Sequence, residues 1–212
     1  MTAPTTGGNK EVLYFAYGSN LSTTQMHQRC PRSTPVGLGH LPGWKWIINE
    51  RGYANIVQQQ PQPQQQQQQQ ASSPSASATT TTTTAAAGNA SAGDPGVYGL
   101  LYRLHPDDEA TLDACEGVPW AYERRFLDVI LVPDKARAKV RAEAGAGAKI
   151  EIEGARAHAR ALVYVDFERV KPSTPRREYV ARMNRGIHEA VAEWGLSETY
   201  VEDVMRPFLI DE

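Results

Sequence analysis

The sequence predicts an α+β domain carrying a long insertion. Short apolar runs suited to strands recur along the chain. They do not alternate regularly with helices, as a doubly wound sheet would require. A third observation is a central stretch that cannot contribute to any core.

The first strand is read at 12–16, Val-Leu-Tyr-Phe-Ala, a run rich in residues that fit a buried pleated surface. It stops at Gly18-Ser19-Asn20, where Ser19 or Asn20 is expected to cap a helix over 21–29, and Pro31 ends that helix. Further strands are expected at 43–49 and 53–57, separated by a turn at Arg51-Gly52. Residues 58–94 hold a glutamine run, a Ser/Pro/Ala segment and six threonines. Such a composition buries too little apolar surface to offset its ordering entropy and is read as a disordered insertion in a surface loop. The strongest strand signal lies at 97–104. Pro106 and the acids Asp107, Asp108 and Glu109 then mark a helix start, since proline suits the first turn and acids suit the positive dipole end. This helix closes at Gly117, a natural C′ residue. Another strand is expected at 122–132, a variable loop at 134–157 and a strand at 158–167. Val180, Met183, Ile187, Val191 and Trp194 recur at spacings of three and four, one apolar face of a helix over 176–194. A short helix over 198–205 completes the chain. The organisation is thus a tail at 1–10 and one domain at 11–210, interrupted at 58–94 and 134–157.

Composition narrows function. The 212 residues carry a formal net charge of −2, with both signs dispersed, so no basic surplus points to nucleic acid or to an anionic membrane. No run of about 18 apolar residues suggests a membrane span, and residues 1–10 hold no apolar core of a signal peptide. The two cysteines, Cys30 and Cys115, have no metal-ligand spacing and read as reduced thiols, which fits the cytoplasm. Cys115 is expected on the apolar side of its helix. The five histidines show no ligand spacing, so no metal site is expected. The charge run from Lys135 to Arg141 reads as solvated loop.

Two places could hold chemistry. Glycine after a buried strand lets successive backbone N–H groups face one concavity, and such turns bind carboxylates, phosphates or a developing oxyanion. That description fits Tyr17-Gly18-Ser19-Asn20. The second is Glu116, a carboxylate at the negative end of a helix, where its charge is locally disfavoured by a few tenths to about 1 kcal/mol. Partial burial there would raise its pKa toward the range of a proton shuttle.

The segment 14–21, Tyr-Phe-Ala-Tyr-Gly-Ser-Asn-Leu, resembles the opening signature of the γ-glutamylcyclotransferase family. Val97-Tyr98-Gly99-Leu100-Leu101-Tyr102 resembles its central strand, and Asp113-Ala114-Cys115-Glu116-Gly117 followed by Tyr122 its catalytic segment. Pro172-Ser173 and Tyr179 resemble its C-terminal substrate-binding stretch. The resemblance covers about 12–57, 97–132 and 158–207. It implies a small mixed β-barrel flanked by helices and the cleavage of γ-glutamyl amino acids to 5-oxoproline and a free amino acid, without a cofactor. It places the acid/base role on Glu116 and substrate binding on Tyr14, Phe15, Ala16, Tyr17, Gly18, Ser19 and Tyr179. The expected partner is a small γ-glutamyl substrate, with no nucleic acid and no membrane, and a homodimer is allowed. The glutathione-specific branch has leucine where Asn20 stands, which argues against that branch. The alternatives are γ-glutamylamine cyclotransfer and a non-catalytic binding module of the same fold.

Overall fold

The computed structural model describes residues 11–59, 95–133, 150–153 and 156–209, and only the backbone course at 150–153 and 156. The expected tail, the body of the 58–94 insertion and the charge run at 135–141 lie outside the described residues.

Strand β1 (Val12–Ala16) is buried along almost its whole length, as its unbroken apolar run requires. It pairs antiparallel with β5 (Gly96–Leu104). Beyond β5 come β2 (Thr34–Pro42), β6 (Glu123–Leu131) and β8 (Arg156–Val165). β8 returns to β1 through a short parallel pairing at Leu13–Ala161 and Tyr14–Leu162. Five strands therefore close into a mixed barrel, and closure removes the exposed edges an open sheet would leave. β7 (Ile150–Glu153) extends the free edge of β8. β3 (Trp44–Ile48) and β4 (Ala54–Gln58) form a separate antiparallel hairpin. The fold is α+β, as the strand and helix pattern predicts, and has the small barrel with flanking helices that the family resemblance implies.

Three expectations need correction. No element is assigned from sequence to 34–42, a segment interrupted by Pro35, Gly37, Gly39 and Pro42, yet β2 forms a full barrel stave. A Cβ at Gly39 would stand 2.5 Å from Val129 Cγ1, so this glycine is needed for close packing inside the barrel. The expected loop at 134–157 includes β7 and the first residues of β8, whose hydrogen bonds continue the β6–β8 ladder outward. Likewise, β4 runs on to Gln58, so the strand takes in the first residue assigned to the insertion.

The helix after β1 also starts later than expected. Ser19–Leu21 is a single 3₁₀ turn, and the helix proper, α1 (Thr23–Arg29), is capped by Ser22, whose Oγ accepts from Gln25 N. Neither Ser19 nor Asn20 is the cap, since the turn keeps both for tertiary contacts. α2 (Pro106–Glu116) begins at Pro106 behind the cap residue His105 and ends on Gly117 at φ 67°. α3 (Arg177–Trp194) buries Val180, Met183, Ile187 and Trp194, four of the five residues on its expected apolar face, together with Tyr179, Gly186 and Ala190. Val191 is only partly covered. A final turn at Glu198–Tyr200 runs into a π-helical turn at Val201–Met205. Among the described residues no helix is long and apolar enough to cross a membrane.

Candidate active site

β1 delivers Tyr17 and Gly18 to one end of the barrel, and the 3₁₀ turn folds back beneath α3. Gly18 has an ordinary negative φ of −110°, so its smallness matters rather than its freedom. A Cβ there would lie 2.9 Å from Tyr179 Oη and 3.3 Å from Ala54 Cβ. Tyr179, from the first turn of α3, thereby reaches over the backbone and accepts from Ser19 N at 3.3 Å. Burial pushes its phenol up to about 12. The turn is clamped from other sides as well. Trp46 Nε1 donates to Tyr17 O at 2.9 Å, Tyr17 Oη donates to Tyr164 O at 2.5 Å and Tyr102 Oη donates to Asn20 O at 2.9 Å.

From the opposite wall, the end of α2 brings in Glu116. The Asn20 side chain joins the two walls. Its Nδ2 donates to Glu116 Oε1 at 3.0 Å and to Tyr14 Oη at 2.9 Å. Its Oδ1 accepts from Gln25 Nε2 at 2.9 Å and from Arg29 Nη1 at 3.0 Å. Every polar hydrogen and acceptor of this amide is engaged, which locks its orientation. Asn20, read from sequence only as a cap and a member of the turn, is thus the residue in direct contact with Glu116.

The cavity between these walls holds about 220 Å³. Tyr14, Phe15, Tyr17, Gly18, Ser19, Tyr179 and Glu116 all line it, whereas Ala16 points into the core and does not. Cys115 lines it too. Expected on an apolar helix face, this thiol is in fact exposed, because α2 buries only Asp108 and Leu112 and leaves its last turn open toward the cavity.

The electrostatics centre on Glu116, whose side chain is 17% exposed. Burial raises its pKa above the ordinary 4.5. Arg29, with Nη1 4.0 Å from Oε1, the Asn20 hydrogen bond and the more distant Arg182 and Arg51 pull the other way. Desolvation outweighs these attractions, leaving a carboxyl group readier to hold a proton than a surface glutamate. Among the described residues no three His, Cys, Asp or Glu side chains converge as metal ligands would.

The closed five-stranded barrel with its separate hairpin is shared with solved γ-glutamyl cyclotransferases. A solved γ-glutamyl cyclotransferase superposes with a TM-score of 0.57 at 18% identity, over 92% of this chain and 86% of that one. An uncharacterized protein from Homo sapiens gives 0.56 at 18%, over 92% and 87%. A yeast γ-glutamyl cyclotransferase specific to glutathione gives 0.53 at 11%, over 94% and 100%. These identities establish a shared fold. No family model matches the sequence, and no curated protein matches it.

Proposed function

We propose that the protein is a cytoplasmic γ-glutamylcyclotransferase that converts γ-glutamyl amino acids to 5-oxoproline and a free amino acid. One observation carries this reading. A buried carboxylate, Glu116, its pKa raised by desolvation, is held by Asn20 in the same cavity as the β1 turn.

The nucleophile belongs to the substrate. Its α-amine attacks its own γ-carbonyl carbon, closing a five-membered ring as the C–N bond to the departing amino acid breaks. Holding nitrogen and carbon about 3–3.5 Å apart supplies several kcal/mol of the barrier reduction. The attacking nitrogen gives up two protons in all, and the departing nitrogen gains two. Glu116 carries them one at a time, accepting each from the attacking nitrogen and delivering it to the leaving nitrogen, so the carboxylate is regenerated after each transfer. Such a shuttle is worth roughly 10²–10⁴-fold. Tyr179 and the Tyr17–Ser19 backbone hold the γ-glutamyl part, and the β1 turn faces the oxyanion that forms on the γ-carbonyl. The reaction needs no cofactor.

The experiment is incubation of purified protein with γ-glutamyl-alanine and detection of 5-oxoproline, repeated with Glu116→Gln. Absence of product from the unmodified protein rejects the activity. Full activity in the variant rejects the role of Glu116. Turnover of γ-glutamyl-ε-lysine in place of γ-glutamyl-alanine would reassign the substrate to a γ-glutamylamine.

A further inference from the structure

Among the described residues three arginines border the cavity, and the protein uses their charges to different extents. Arg29 donates to Asn20 and lies beside Glu116. Arg182 is paired with Glu178 at 3.0 Å. Arg51 has no such commitment. It extends from the turn between β3 and β4, where Gly52 N donates to Asn49 O and Arg51 N to Asn49 Oδ1. Its guanidinium carbon sits 5.5 Å from the ring centres of both Tyr53 and Tyr122, a position that fixes the plane of the fork. Its Nη1 is buried and has no hydrogen-bond partner among the described residues.

A buried N–H on a cation is costly to leave unmet, and a guanidinium fork matches a carboxylate with two parallel hydrogen bonds. The cavity therefore presents a buried carboxylate and a cation with an unmet N–H. An α-amino acid head group carries the complementary pair, an ammonium and a carboxylate on one carbon. Building on the cyclotransferase reading, we propose that Arg51 binds the α-carboxylate of the γ-glutamyl substrate while Glu116 receives the α-ammonium on the same carbon. Arg51 then sets which way the amine points and makes the α-carboxylate a determinant of kcat/KM. Nothing in the sequence marks this residue. It is one cation in a hairpin turn, far from both recognisable segments.

The test compares γ-glutamyl-alanine with 4-aminobutyryl-alanine. The second substrate has the same scissile amide and the same attacking amine but no α-carboxylate, and it yields 2-pyrrolidinone. Unmodified protein is expected to favour γ-glutamyl-alanine by roughly 10- to 100-fold in kcat/KM, the usual weight of a charged hydrogen bond. Arg51→Met should lose that factor on γ-glutamyl-alanine beyond whatever loss it causes on 4-aminobutyryl-alanine, so the preference collapses. Equal losses on both substrates overturn the proposal, since a purely structural arginine would act in that way. So does a preference that survives in the variant, or one that disappears instead between γ-glutamyl-alanine and γ-glutamyl-alaninamide, which would place Arg51 at the leaving amino acid. If Arg51→Met does not fold, Arg51→Lys carries the same comparison, retaining a point charge without the fork. Should neither substrate turn over in the unmodified protein, the cyclotransferase reading falls and calorimetric titration decides for Arg51. Binding of 5-oxoproline but not of 2-pyrrolidinone, lost in Arg51→Met, supports it. No binding of 5-oxoproline overturns it.

Discussion

Burial of Glu116 works against its charge, and this has two consequences of opposite sign. An acid whose folded-state pKa is raised contributes stability that is present below its unfolded value and lost as pH rises through the folded one. Once ionised, the side chain is thus a burden on the fold. Glu116→Gln keeps an acceptor for Asn20 Nδ2 and removes the buried charge. It should raise stability at pH 7 by about 1 kcal/mol, a Tm gain of roughly 2–4 °C, and the gain should vanish in melts below pH 4.5. Catalysis should move the other way, falling by roughly 10²–10⁴-fold. For the unmodified protein, the acid limb of the kcat/KM profile should lie above the ordinary carboxylate value, since the base is lost as it protonates. Gly18 offers a second test. Alanine there collides with the Tyr179 hydroxyl, which should cost about 1–3 kcal/mol, measured by denaturant unfolding. Adding Tyr179→Phe removes the colliding oxygen, so the double variant should be more stable than the sum of the single effects.

α1 and α3 both supply side chains to the cavity, and one carboxylate ties them together. Glu189 on α3 accepts from Ser22 Oγ at 2.8 Å, Thr23 Oγ1 at 3.0 Å and Thr24 N at 3.0 Å. Desolvation pushes its pKa up, but these hydrogen bonds prevail and hold it below the ordinary 4.5. A depressed acid contributes stability above its unfolded pKa and loses it as pH falls through the folded value. Glu189→Gln should therefore cost up to about 1 kcal/mol at pH 7 once solvent screening is allowed for, with the difference shrinking below pH 4.5, as read by urea unfolding at both values. The same elements show what a sequence can reveal. β1, β5 and α3 were legible because local pattern and tertiary role agree: unbroken apolar runs are buried, and a stripe of period 3.6 faces the core. β2 was not, because its glycines and prolines signal turns locally. The barrel needs Gly39 for the approach of Val129 and Leu101, a requirement visible only once those chains meet. In the cavity, Glu116 and the β1 turn were legible as motif. Asn20 as their bridge and Arg51 as a nearby cation depend on contacts between residues 96 and more positions apart in one case and across a separate hairpin in the other.

For the molecule as a whole, the question is what the stretch between β4 and β5 contributes. β4 ends at Gln58 and β5 begins at Gly96, so residues 59–95 join a hairpin strand to a barrel strand. The parts that build the cavity lie elsewhere: β1 and its turn, the ends of α2 and α3, and the β3–β4 turn. Gln59 and Pro95, the described residues at each end of the stretch, both line a second groove, apart from Glu116. Gln59 N is bonded to Gly43 O at 2.8 Å, so the exit from β4 is held by the hairpin itself. Among the described residues, the barrel pairings and the walls around Glu116 come from β1, β2, β5, β6, β8, the helices and the β3–β4 turn. Replacing residues 60–94 with a six-residue Gly/Ser linker should therefore preserve folding and kcat/KM for γ-glutamyl-alanine. Loop-closure entropy grows only with the logarithm of length, so the shorter connection should add about 1–2 kcal/mol of stability. Chemical denaturation and steady-state kinetics on the two proteins measure both quantities. A large loss of activity with folding intact would assign the stretch a role at the cavity, and a loss of folding would make it part of the domain.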